Sequence, residues 1–225
     1  MIHFNAIYQD AIEQHGSKKA VDEILHSRVY SATDEEIKAT PDDRYLSMIS
    51  LRIFRSGLKH SLVDAKWPAF EAAFHQFNIL GNAHLSDEAI AEHMTNTDLI
   101  RHLGKMKAIR ANAQMIHHIQ QEHGSFGAFL ANWPVEDIIG LWDYFKKHGQ
   151  QLGGNSGSYF LRMAGKDTFI FTNDVVAALV ARKVLDKKPT AKRDLKIAQE
   201  QFNLLKAESG WPFAKLSMLL ALTVG

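Results

Sequence analysis

The residues with the most chemical potential lie between Gln150 and Val176. There Leu152-Gly153-Gly154-Asn155-Ser156-Gly157 is too rich in glycine for a helix interior. A helical run from Glu136 to His148 precedes it and ends at Gly149; a second, Ser158 to Ala164, follows and ends at Gly165. A short Phe-rich segment then delivers Asp174. Glycines at such a turn let backbone approach a partner closely, and the next helix starts with unpaired N–H groups. Together these make an anion site, phosphate being the usual anion. An ordinary helical hairpin with a glycine turn fits the same residues equally well. Asp174 likewise has two readings. A carboxylate there can stabilise a developing cation or activate a water, or, with Asn173, simply cap the helix that follows.

The elements that must position these residues are helices. Apolar spacing predicts two short helices across Phe4 to Leu25, broken at Gly16-Ser17, and Thr33-Asp34-Glu35-Glu36 is a capping box. Thr40-Pro41 starts another, running from Arg44 to a stop near Gly57. Further helices are expected over Trp67 to Phe77, Ser86 to Met94, Lys105 to Glu122, Val175 to Leu185, Ala191 to Glu208 and Pro212 to Leu222. Only Thr168 to Thr172 alternates, weakly, in the manner of a strand. The expectation is therefore an all-α fold of about ten helices, one domain over 1–225, with room for two lobes and a groove.

Composition narrows the partners. The formal net charge of +1 gives no global polyanion signal, so any nucleic-acid surface must be local. Two basic stretches qualify, Arg101 to Arg110 and Arg182 to Lys196, although charged helix faces are usually just solvated. No cysteine is present, which excludes disulfides and thiolate metal sites. The start of the chain lacks a basic, then apolar, leader pattern, and Leu216 to Val224 is too short to span a bilayer. The chain reads as soluble and cytoplasmic, with no membrane partner.

The hairpin residues carry a resemblance. Leu152 to Gly157 is similar to the hairpin of the helix-hairpin-helix DNA glycosylases, usually Leu-Pro-Gly-Val-Gly, and Asp174 falls where that superfamily keeps its catalytic aspartate. Within it the chain resembles the 3-methyladenine DNA glycosylase I family. Four more stretches in the family's order support this: Leu51 to Leu58, Trp67 to Phe77, Ile100 to Ala113 and Gly124 to Trp133. The likeness runs from Tyr45 to Val180.

The resemblance implies a helix-hairpin-helix glycosylase-like fold and a cofactor-free hydrolase acting on double-stranded DNA. The reaction would cleave the N-glycosidic bond of an alkylated, 3-methyladenine-like or otherwise damaged base, taken out of the stack into a pocket. Asp174 would be catalytic, and Gly153, Gly154, Asn155, Ser156 and Gly157 would hold DNA phosphates. Arg52, Phe54, His60, Trp67 and Tyr159 are the candidates for the base pocket, with core packing as the alternative for the aromatic ones. The family's Leu-Glu-x-x-x-x-Gly-Leu-Ser-Trp runs here as Leu51-Arg52 and then Gly57-Leu58-Lys59-His60. Arg52 thus stands where the family has its base-contacting glutamate, and His60 where it has tryptophan. A cation facing a cationic base repels it. The family's Cys/His zinc site has no counterpart. No lysine lies between His148 and Gly165, so the strand-cutting Schiff-base chemistry of bifunctional glycosylases is not expected. Two other readings stay open: a non-catalytic DNA-binding module that kept the hairpin, and a helical protein binding a small molecule or a partner protein.

Overall fold

The computed structural model describes residues 2–224, and among these there are α-helices and short 3-10 turns but no strand. In chain order the helices are α1 (Phe4–His15), α2 (Lys18–Arg28), α3 (Asp34–Ala39), α4 (Asp42–Arg55), α5 (His60–Ala73), α6 (Ile79–Ala83) and α7 (Asp87–His93). They continue with α8 (Leu103–His123), α9 (Phe126–Asn132), α10 (Ile138–His148), α11 (Asn155–Met163), α12 (Asn173–Ala181), α13 (Lys192–Ser209) and α14 (Phe213–Ala221). The helices without a counterpart among the expected ones are α6 and α9, of 5 and 7 residues. Runs that short barely register as a period. Their contacts group them into two compact units. One comprises the chain up to Ser31, Pro134–Gly140 and the chain from Asp167; the other comprises Ala32–Trp133 and Leu141–Lys166.

The second of these units is built around α8, which buries Met106, Ile109, Ala113, Ile116 and Ile119 and packs against α4, α6, α7 and α9. The expected capping box on α3 is present: Glu36 N donates to Thr33 Oγ1 at 3.2 Å and Thr33 N to Glu36 Oε2 at 2.8 Å. α3 crosses α9 at Gly127, where a Cβ would sit 2.5 Å from the Ile37 carbonyl, so only glycine permits the crossing. α5 starts at His60, ahead of the predicted Trp67, because Pro68 is carried inside the helix at an exposed position. Beyond it His75, Gln76 and Phe77 all take left-handed backbone, with φ of 52°, 53° and 59°. Such a run costs roughly 1–2 kcal/mol per residue and needs outside support. Arg44 supplies it, donating to the Gln76 carbonyl at 2.5 Å while pairing with both oxygens of Glu71 at 3.1 Å.

In the other unit, α14 packs with α1, α2, α12 and α13. Thr168 to Thr172 forms no strand; it is a largely buried irregular segment whose Phe169 stacks on Phe202 at 4.1 Å and meets Phe213 edge-on. Pro212 at the start of α14 has no side chain able to cap it. Asp167 does so instead, accepting from Phe213 N at 3.0 Å and Ala214 N at 2.9 Å.

Candidate active site

The glycine turn joins α10 to α11 through residues 149–154. Phe145 carries the last turn of α10 into the core, and Gly149 N closes on its carbonyl at 2.9 Å. Gly149 has no room for a side chain, since a Cβ would lie 2.8 Å from both the Phe145 carbonyl and Leu152 Cδ1. Leu152, 1% exposed, plugs the turn into the core, and Gln151 takes φ 60° to let it do so. Gly154 then adopts φ 59°, ψ −136°, a conformation that is glycine's alone. It is also the N-cap of α11 and brings no capping side chain of its own, and Gly153 and Gly154 are exposed. The aliphatic stem of Lys146 lies beside Gly153.

A residue that pattern reading missed clamps this turn. Asn112, on α8 and fully buried, donates from Nδ2 to the Gln150 carbonyl at 3.0 Å and accepts from Gln150 N at 2.9 Å. A single side-chain amide thus supplies both bonds that a neighbouring strand would. The one signal in the sequence was an Asn on the buried face of a helix, where an unpartnered amide would be costly.

Asp174 belongs to the other unit. The cap of α12 is Thr172, whose Oγ1 accepts from Val175 N at 3.2 Å. Asp174 is therefore not the cap; it is an exposed residue of the first turn, placed by a buried segment that Ser217 ties down through Ile170 N at 3.2 Å. Its carboxylate sits at the positive end of the helix dipole.

The five pocket candidates do not all meet. The Arg52 guanidinium lies 4.3 Å above the centre of the Tyr159 ring, joining α4 to α11. Burial lowers its pKa, with Tyr159 opposing that shift and Arg55 adding to it. Phe54 is fully buried, packed edge-on against Phe70 and Trp67. Trp67 stacks on Phe70 and Phe77 and donates from its indole N–H to Ser47 Oγ at 3.1 Å, so it is mostly a wall of the core. His60 is exposed at the start of α5 and makes no hydrogen bond, ion pair or ring contact with the described residues. Lys105 donates to the Phe54 and Ser56 carbonyls at 3.2 and 2.6 Å, closing the end of α4.

The basic stretches are also sorted by the fold. Lys105 is buried, and Arg110 pairs with Asp87 at 2.9 Å, leaving Arg101 and His102 exposed. In the later stretch Arg182 pairs with Asp10 at 2.5 Å, while Lys187 and Lys188 are exposed. Lys166, the lysine nearest the hairpin helix, is 3% exposed and its ammonium donates to the Ala131 and Trp133 carbonyls at 3.0 and 2.9 Å. Among the described residues no group of three or more His, Asp or Glu is placed to hold a metal ion, and no helix is long and apolar enough to cross a membrane.

This helical architecture is that of the DNA glycosylases. The 8-oxoguanine glycosylase/lyase of Methanocaldococcus jannaschii, solved with a 15mer DNA containing 8-oxoguanine, shares it at a TM-score of 0.55. That likeness covers 96% of this chain and 95% of that one, at 13% identity. More narrowly, residues 31–150 match the methyladenine glycosylase family, and the chain belongs to that family. The structure of 3-methyladenine DNA glycosylase I from Staphylococcus aureus is similar at 25% identity and TM-score 0.51, over 69% of this chain and 91% of that one. DNA-3-methyladenine glycosylase 1 of Escherichia coli (strain K12) is 28% identical over 101 residues. That stretch is 45% of this chain and 54% of the relative, so the chain spans about half the length of this curated relative. The family match stops at residue 150, before the hairpin's second helix and Asp174.

Proposed function

We propose that this protein is a monofunctional DNA glycosylase of base-excision repair, hydrolysing the N-glycosidic bond of an alkylated or otherwise damaged base in duplex DNA. The observation that carries the reading is the glycine turn. It is locked by Leu152 and Asn112, glycine-capped, exposed and flanked by Lys146, which is what a grip on a sugar–phosphate backbone requires. Membership of the methyladenine glycosylase family supports the same chemistry.

In the reaction the bond between C1′ and the base nitrogen breaks, and its electron pair leaves with the base. The sugar becomes cation-like, water adds to C1′, and the water's proton is lost. Asp174 suits either role this needs, a fixed negative charge beside the sugar or a base for the water, because Thr172 relieves it of capping. Schiff-base chemistry has no candidate nucleophile on α11, and Lys166 is withheld by burial and its two carbonyl partners.

The test is chromatography of free base released from alkylated duplex. Base should appear together with abasic sites in strands that stay intact until alkali is added. No release from alkylated or deaminated duplexes would overturn the reading.

A further inference from the structure

The geometry points to Arg52 as a specificity residue that selects a neutral 6-oxopurine, of which hypoxanthine is the simplest, over a cationic methylated base. This rests on the glycosylase reading and names its substrate class.

Three observations bear on it. First, Arg52 has no counter-ion. Arg44, Arg55, Arg110 and Arg182 each pair with a carboxylate, Arg55 with Asp64 at 2.7 Å, whereas no carboxylate among the described residues pairs with Arg52. Arg55, one helical turn on, adds repulsion, so this position carries an unneutralised positive charge.

Second, the guanidinium is held but not satisfied. Nε is buried and has no hydrogen-bond partner, and the plane is set over Tyr159. The two terminal nitrogens also make no hydrogen bond to the described residues, yet they are not buried, so their donors face solvent. An arginine left this way is a preformed two-pronged donor waiting for an acceptor pair.

Third, the acceptor pair that fits such a fork on a nucleobase is O6 with an unprotonated N7, the edge shown by guanine and hypoxanthine. 3-Methyladenine in DNA offers an amino group there and carries a positive charge, so both its hydrogen-bond pattern and its charge oppose Arg52. The departing group is decisive. A cationic base leaves as a neutral molecule and gains nothing from a nearby cation. A neutral base takes the bonding electron pair and leaves as an anion, collecting a proton from water afterwards. A partly desolvated guanidinium stabilises that developing charge.

The experiment pairs binding with excision. Binding of 9-methylhypoxanthine and of the 3,9-dimethyladeninium cation is measured by saturation-transfer NMR on wild type, Arg52→Gln and Arg52→Glu. Excision is measured on duplexes containing hypoxanthine or 3-methyladenine, and affinity is measured on a duplex containing an abasic-site analogue. Wild type should favour the 6-oxopurine in both assays. Arg52→Gln should lose roughly tenfold or more on that base alone, and Arg52→Glu should reverse the preference while abasic-duplex affinity holds. Equal binding of the two bases by wild type, or a preference for the cation, overturns the assignment. So does a loss in Arg52→Gln that is the same on the abasic duplex, which would make Arg52 a phosphate contact. If no base is released from either duplex, the glycosylase reading fails, while the free-base measurement still decides what Arg52 selects.

Discussion

Asn112 offers the sharpest test of how the hairpin works. Replacing it with leucine keeps the side chain's size and removes both bonds to Gln150, at 2.9 and 3.0 Å. Each bond contributes about 1 kcal/mol net, so the closed turn loses about 2 kcal/mol relative to open forms. That is roughly a 30-fold drop in the closed-to-open ratio. The loss should stay local. Gln150 is exposed and its freed N–H and carbonyl can turn to water, while leucine suits a fully buried position better than an amide without partners. Only the closed turn presents the α11 amides, so duplex affinity should fall by up to roughly 30-fold. The excision rate at saturating DNA should change little, since bound DNA holds the turn shut. Hydrogen exchange at residues 150–155, fluorescence anisotropy on duplex and a thermal melt measure the three quantities. Faster exchange at the turn with unchanged affinity would refute the argument, because the turn would then not be what grips the duplex. Uniformly faster exchange across the chain would instead make Asn112 an ordinary core residue.

Other outcomes follow from the same geometry. Asp174→Asn should leave duplex binding intact and reduce single-turnover excision by about two orders of magnitude, the effect of removing one preorganised electrostatic partner. Because Thr172 keeps the cap, stability should fall by no more than about 1 kcal/mol, the loss of a charge at the helix dipole, and equal excision rates would end the catalytic assignment. Borohydride should trap no covalent protein–DNA complex in the wild type; a trapped complex would mean that a lysine or the terminal amine reaches C1′. Burial, and then the Tyr8 bond to Asp22 at 2.6 Å, push the Tyr8 phenol up to about 12. A phenol whose folded pKa lies above its unfolded value of 10.0 stabilises the fold fully below pH 10 and loses that contribution as pH rises through about 12. Ultraviolet titration should therefore show a late-ionising tyrosine that Tyr8→Phe removes, and an unchanged curve in that variant would refute the assignment.

Much of this protein was legible before any fold was in hand. Helical periodicity places most of the long elements, and Thr33 with Glu36 announces a helix start, because such signals act within one or two turns of chain. The run Leu152 to Gly157, the later Asp174 and the missing lysine on α11 are likewise local features of residue type and order. What the tertiary structure decided is every partnership made across distance. Asn112 clamps Gln150 from 38 positions away, and Asp167 caps α14 from 46. Arg44 holds a left-handed turn more than 30 residues on, and that turn contradicts the propensities of His75, Gln76 and Phe77. Periodicity cannot reveal such pairings, because a buried polar group needs only some partner, and packing selects which one. The division among the candidate pocket residues has the same origin. Phe54, Trp67 and Tyr159 are alike as aromatic residues on helices, but packing turned the first two toward neighbouring rings and left the third beneath an arginine with no counter-ion. Thr172 and Asp174 were equally able to cap α12, and the backbone's entry into the helix gave the cap to Thr172 and left Asp174 exposed.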